Sequence, residues 1–179
     1  MLSQSKRLRL RALEPADAQL LYQWENDPGI WHVGDTLVPY SMFQIEEFIL
    51  NSADIYANKQ LRLMIETLDR KPNQIIGAID MYDFDPRHSR AGIGIMIVAA
   101  ERGKGFAGEA LQAFEQYAFQ TLNLHQLYCY VAVDNAESIR VFEKRGYMQT
   151  GLRKDWLNEG GKYTDQLQFQ LINPNHQLI

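Results

Sequence analysis

The sequence has one cysteine, four histidines and no apolar run long enough to span a bilayer. With Cys129 alone, no intrachain disulfide and no CxxC metal pair can form. Its setting, "HQLYCYVAV", is that of a small core filler among strand-forming residues. The longest apolar run, "AGIGIMIVAA", falls well short of the roughly 20 residues a membrane helix needs. The opening "MLSQSKRLRL" lacks the apolar centre of a secretory signal. A surplus of positive charge is also missing. The net charge of −4 argues against nucleic acid as the main partner, because a phosphate backbone demands a basic face. It is compatible with a cationic small molecule, though plain solubility of a cytosolic protein explains it more simply. No repeat, low-complexity tract or linker is visible. These absences leave a cytoplasmic, metal-free enzyme or binding domain with no membrane partner as the expectation.

What is present fits one domain: 179 residues, 46% apolar and 22% charged. "KRLRLRAL" alternates basic and apolar residues, as a half-buried strand does. "EPADAQLLYQWENDP" follows with Leu20, Leu21 and Trp24 at helical spacing and Pro15 in an early turn. After the loop "GIWHVGDTLVPY", Ser41 reads as the cap of one helix through "MFQIEEFILNSADIYAN". Three apolar runs, "LRLMIETL", "QIIGAIDMYDF" and "RAGIGIMIV", are separated by the turn-rich "DRKPN" and "DPRHS", which predicts an antiparallel meander. Then come an amphipathic helix in "GEALQAFEQYAFQTL", the strand "HQLYCYVAV" and a short helix from Asn135 to Gly146. A hairpin turning at Gly160-Gly161 completes the chain. The pattern is α+β.

The segment with the most chemical content is "ERGKGFAGEA". Gly103, Lys104, Gly105, Phe106, Ala107 and Gly108 spell G-x-G-x-x-G, a dinucleotide string. A dinucleotide fold, however, puts that string directly after its first strand and within a parallel sheet. Here it follows a meander, and only about 70 residues remain. The Walker A pattern fails because Lys104 is followed by Gly105. What survives is a strand, a glycine loop and a helix N-terminus whose free N–H groups favour an anion, with Arg102 and Lys104 adding charge.

Arg102 through Ala107 also fits R/Q-x-x-G-x-G/A, and this resembles the acyl-CoA pyrophosphate loop of the GNAT N-acetyltransferase superfamily. A second segment, "VDNAESIRVFEKRGY", is similar to the family's N-x-x-S-x-x-x-Y-E-K-x-G-F at Asn135, Ser138, Glu143, Lys144 and Gly146. Phe142 stands where the family has tyrosine. The beginning and the tail look most like the branch of spermidine N-acetyltransferases and ribosomal-protein N-terminal acetyltransferases. The resemblance implies a single acyl-CoA N-acyltransferase domain over residues 1–179. Its mixed, mostly antiparallel sheet would have about seven strands, helices on both faces, and strands four and five splayed.

It further implies acetyl-CoA as cosubstrate, held by Arg102 to Gly108 and by Asn135, Ser138, Phe142 and Lys144. The backbone of Ile97 and Val98 would pair with the pantetheine arm, as an added strand does. Acetyl transfer to an amine needs a deprotonated nitrogen, a polarised carbonyl and a departing thiolate. The Val98 N–H is the candidate carbonyl donor. Asp83 is the candidate base or amine anchor, from the cluster Asp80, Asp83, Asp85 and His88, where the competing reading is turn chemistry. Asp83 and Asp85 fall on one face by strand alternation, with Asp80 on the other. With Phe142 unable to give a proton, Tyr147 is the acid candidate, with Tyr128 and Tyr130 as further choices. Trp31, His32, Asp83 and Asp85 would meet the acceptor, in a cleft that Asp83, Asp85, Glu25 and Asp27 make negative. That acceptor is a polyamine, or else a protein N-terminus or peptide. A non-catalytic acyl-CoA-binding module and an NAD-dependent oxidoreductase are the rival readings, and homo-oligomers are left open.

Overall fold

In the computed structural model, residues 5–27, 29 and 38–175 are described. Strand β1 (Leu8–Arg11) leads through a 3-10 turn (Pro15–Asp17) into α1 (Ala18–Glu25). The turn is fixed by a capping box between Glu14 and Asp17, and Arg11 grips both Asp17 oxygens at 2.7 Å. The single helix expected after Ser41 is two helices: α2 (Met42–Asn51) and α3 (Ile55–Asn58). The physical reason lies in Asp54. Its carboxylate accepts from the backbone of Tyr56 and Ala57, which caps a new turn instead of continuing the old one.

The meander follows as expected, with β2 (Leu61–Thr67), β3 (Ile75–Asp85) and β4 (Arg90–Ile97) paired antiparallel in sequence. A 3-10 turn (Ala99–Glu101) and the glycine loop then lead to α4 (Phe106–Gln120). Beyond it lie β5 (Gln126–Ala132), α5 (Ala136–Lys144), β6 (Met148–Glu159) and β7 (Lys162–Ile172). The seven strands form one sheet in the order β1-β2-β3-β4-β5-β7-β6, antiparallel except where β4 meets β5.

Strand alternation sorts the core into two layers. Leu63, Ile65, Ile79, Met81, Ile93, Leu127, Cys129 and Phe169 face Leu111, Phe114 and Ala118 of α4 and Phe142 of α5. Met64 and Ala78 point the other way, against Leu21 of α1 and Ile45 and Ile49 of α2. Each fully buried Leu or Ile contributes about 1.5–3 kcal/mol. The first layer spans the sheet, whereas the second draws no buried residue from β4, β5 or β7. On that second face the cross-strand partners Tyr82, Gly92, Tyr128 and Gln170 lie in one row, with Tyr130 and Gln168 in the next. Among the described residues no helix is long and apolar enough to cross a membrane.

Candidate active site

Strands β4 and β5 pair at only three positions: Arg90 with Gln126, Ala91 with Leu127 and Gly92 with Tyr128. Beyond Gly92 they part, although β4 continues to Ile97 and β5 to Ala132. Both run in the same direction, so the opening lies at their C-terminal ends. The glycine loop follows β4 there, and α5 follows β5. A gap between parallel strands leaves backbone N–H and C=O groups of β4 unpaired, as on a sheet edge.

Which groups they are follows from the ladder. The Val98 N–H donates to Ile76 O at 2.9 Å, so it faces β3 and is already engaged. In an antiparallel ladder the neighbouring residue points the opposite way. The groups turned toward the gap are those of Ile95 and Ile97. The sequence-based assignment of Val98 as carbonyl donor is therefore corrected by one residue, because strand parity was not visible before the register was known. Ile97 O is itself held, at 3.0 Å, by Arg102 Nε, which ties that side chain back to the strand end.

The loop has the shape expected of an anion cradle. Gly103 and Gly105 have φ of +74° and +84°, a region costly to residues with a Cβ. Gly105 is the N-cap of α4 and offers no side-chain acceptor, so the first-turn N–H groups carry no side-chain cap. Phe106 is buried, so only its backbone faces the loop. Two networks brace the cradle, neither of them found by reading the sequence. Arg7 Nε donates to Glu109 at 2.7 Å, while its Nη2 reaches Lys104 O at 3.2 Å and its plane covers the Phe106 ring at 4.6 Å. Glu101 accepts from Arg70 at 2.8 and 2.7 Å and from Lys104 Nζ at 3.0 Å. The Arg70 and Lys104 hydrogen bonds pull the Glu101 carboxyl down to about 2. Lys104 thus rests on a carboxylate it can exchange for another anion.

In the second motif, Asn135 Oδ1 accepts from the Ser138 N–H at 3.1 Å and caps α5. Lys144 is exposed in the last turn. Phe142 and Tyr147 are core side chains, 4% and 3% exposed, packed edge to face at 5.0 Å. The Tyr147 hydroxyl is closed to solvent beside the Glu115 carboxylate, and burial pushes its pKa well up. A proton donor must face the leaving thiolate, so Tyr147 does not fill the acid role assigned to it; both aromatics build the core. The buried Glu115 carboxyl, raised by desolvation, pairs with Arg145 beside them.

On the open face, over the stretch where β4 and β5 are still paired, lies a cleft of about 530 Å³. Its floor is Tyr128, Tyr130, Gln126, Gln168 and Gln170, and its rim carries Lys59, Asp83, Asp85 and Arg90. A bulge between Tyr82 and Asp85 breaks simple alternation and puts Asp83 at φ +49°. Asp83 accepts from Tyr128 Oη at 3.4 Å, and among the described residues it has no ion pair. Asp85 accepts from the His88 N–H at 3.0 Å and pairs with Arg90 at 3.3 Å, the turn chemistry that competed with a substrate role. Asp80 and Glu25 are both spent on Arg62, with Asp80 at 2.6 Å. The rim therefore carries two carboxylates and two cations, and the acidic cleft expected from sequence is charge-balanced. Trp31 and His32 lie outside the described residues.

Tyr82 was not singled out by the sequence, yet its ring lies directly on β4. A Cβ at Gly92 would sit 2.1 Å from Tyr82 Cε2, and one at Gly94 would be 3.9 Å from Cε1. Glycine at 92 is what admits the ring.

The splayed strands, the glycine loop and the capped α5 are accompanied by sequence kinship. Residues 7–148 match the acetyltransferase (GNAT) domain family, and the chain belongs to that family. Its activity class is N-acetyltransferase. Over 175 residues it is 28% identical to the spermidine N(1)-acetyltransferase of Vibrio cholerae, covering 96% of each chain. A crystal structure of spermidine N-acetyltransferase from Vibrio cholerae, in complex with CoA and spermine, superposes with a TM-score of 0.81 at 28% identity, covering 94% of this chain and 96% of that one. A dodecameric structure of that enzyme matches with a TM-score of 0.77 at 27% identity, covering 94% and 95%. The chain is thus a GNAT acetyltransferase similar over nearly its whole length to spermidine N-acetyltransferases.

Proposed function

We propose that this chain transfers the acetyl group of acetyl-CoA to a primary amine of a small cationic molecule such as a polyamine. The observation that supports the reading is the β4–β5 gap, which opens beside the uncapped N-terminus of α4. The diphosphate would lie on the N–H groups from Gly103 to Gly108, with Lys104 exchanging Glu101 for it. The pantetheine amides would pair with Ile95 and Ile97 across the gap, and an unpaired N–H there would polarise the thioester oxygen.

In the reaction the amine gives up its proton, through water or toward Asp83, and its lone pair forms the C–N bond. The C–S bond then breaks and its electrons leave on the CoA sulfur. A thiol pKa near 8.5 lets the thiolate depart with little help, which fits a site with no tyrosine at position 142. The test is thiol release from acetyl-CoA across a panel of polyamines, aminoglycosides and peptides. Turnover with polyamines alone supports the reading; silence across the panel overturns it.

A second reading, acetylation of a peptide N-terminus, is favoured by one observation. The cleft is floored by neutral Gln126, Gln168 and Gln170 and has a balanced rim, which suits peptide amides as well as ammonium groups. Turnover with peptides in the same panel selects it. We also infer a homo-oligomer in the cytoplasm, supported by the dodecameric relative and by the exposed Met148, Leu152 and Trp156 along β6. Light scattering would test the assembly.

A further inference from the structure

Phe142 has no hydroxyl to offer the leaving sulfur, and Tyr147 is sealed in the core. Tyr128 stands before the gap, as the partner of Gly92, and its hydroxyl donates to Asp83 at 3.4 Å. Tyr130 differs on each count. It lies two residues farther along β5, on the same face and past the last β4–β5 pair, so it stands at the gap itself. It is half-buried and lines the cleft, and its hydroxyl makes no hydrogen bond among the described residues. Continuing the register of the last pairs sets it level with Gly94. Among the described residues, a Cβ at Gly94 would meet only Tyr82 Cε1, at 3.9 Å, so the open face has room there for a reacting group. The ring is also fixed. The Arg153 guanidinium lies 3.9 Å from its centroid, reaching it from β6 on the side of β5 away from the gap, and donates to Gln166 at 3.4 Å.

We propose that Tyr130 is a catalytic residue whose hydroxyl carries a proton from the nitrogen to the sulfur as the tetrahedral adduct collapses. The proposal rests on the amine-acetyltransferase reading above. The ammonium loses its first proton before attack, through water or toward Asp83. The C–N bond then forms and the carbonyl π electrons move to oxygen, which leaves the nitrogen cationic with one proton in excess. Nitrogen and sulfur are bonded to the same carbon, so a single hydroxyl can reach both. A phenol accepts and donates at once: Oη takes the N–H proton while it gives its own to the sulfur. The electrons on oxygen re-form the carbonyl, and the C–S bond breaks with its pair on sulfur. The products are the amide and the CoA thiol, and the tyrosine ends as it began.

The test is Tyr130→Phe in the full chain, which keeps the ring under Arg153 and removes only the hydroxyl. It is read as the single-turnover rate of thiol release from acetyl-CoA, with an amine that wild type uses. The rate should fall about a hundredfold, the effect of losing one positioned proton-transfer group. The Kd for CoA, the half-saturating amine concentration and the Tm should hold. In mixtures of H2O and D2O the wild-type rate should follow a curve with deuterium content, as two protons in flight require, and the variant should lose that curvature. A variant rate within about tenfold of wild type would overturn the step. So would a loss matched by weaker CoA or amine binding or by a lower Tm, or curvature that persists in the variant. Failure of the acetyltransferase reading looks different: wild type itself would release no thiol with any amine, and the step would fall with it.

Discussion

The glycine-loop end of the site and its cleft end are built on opposite plans. The loop end is made almost entirely of one contiguous stretch, Arg102 to Glu109, and its geometry is a property of backbone: two glycines at positive φ and a helix start without a side-chain cap. The cleft end is assembled from β3, β4, β5 and β7, and its geometry is a property of side chains, two tyrosines and three glutamines on one sheet face. A backbone site tolerates variation in side chains but not in φ. A side-chain site tolerates the reverse. Substitutions at the two ends should therefore separate the two substrates.

The largest effect is expected at the cleft end, from Gly92→Leu. Its side chain must displace the Tyr82 ring, since even a Cβ would be 2.1 Å from it. Overpacking of this kind costs about 1–3 kcal/mol, read as a lower Tm. Acceptor turnover should vanish while CoA binding by calorimetry persists; loss of both would show that the ends are not separable. Next in size is Gly105→Ala. Its φ of +84° strains any residue with a Cβ, although the added atom would meet Arg7 Nη2 only at ordinary contact, 3.4 Å. The αL penalty of about 1–2 kcal/mol should raise the KM for acetyl-CoA roughly tenfold, with the acceptor KM unmoved.

Tyr128→Phe should act more gently. It keeps the ring and removes the 3.4 Å hydrogen bond to Asp83, so the acceptor KM should rise about threefold in steady-state kinetics. The smallest effect concerns pH. Glu101 has its folded pKa lowered to about 2 by Arg70 and Lys104, below its ordinary value of 4.5. Its contribution to stability is present above about pH 4.5 and is lost as pH falls toward 2. Glu101→Gln should flatten the fall of Tm across that window, and an unchanged slope would remove Glu101 from the loop's acid sensitivity.

This contrast also governs how much could be seen in the sequence. The meander, α4, the capped α5 and the final hairpin were legible because each is set by local periodicity and turn residues. The loop's shape was legible for the same reason, since glycine spacing is local. The break between α2 and α3 was missed because Asp54 can sit inside a helix or cap a new one, and only its hydrogen bonds to Tyr56 and Ala57 decide. The direction of the Val98 N–H depended on register with β3, which no local pattern supplies. Arg7 and Glu109 meet across about 100 positions of sequence, and Arg153 reaches Tyr130 only through the β6–β7–β5 pairing. An acidic cleft was expected because carboxylates were counted without the cations that neutralise them.

The contact between Tyr82 and Gly92 has a historical side. A side chain on β4 facing the acceptor and an aromatic ring lying on β4 exclude each other, because one volume holds only one of them. Along a lineage, enlarging position 92 before Tyr82 changes meets a clash. The two positions are epistatic.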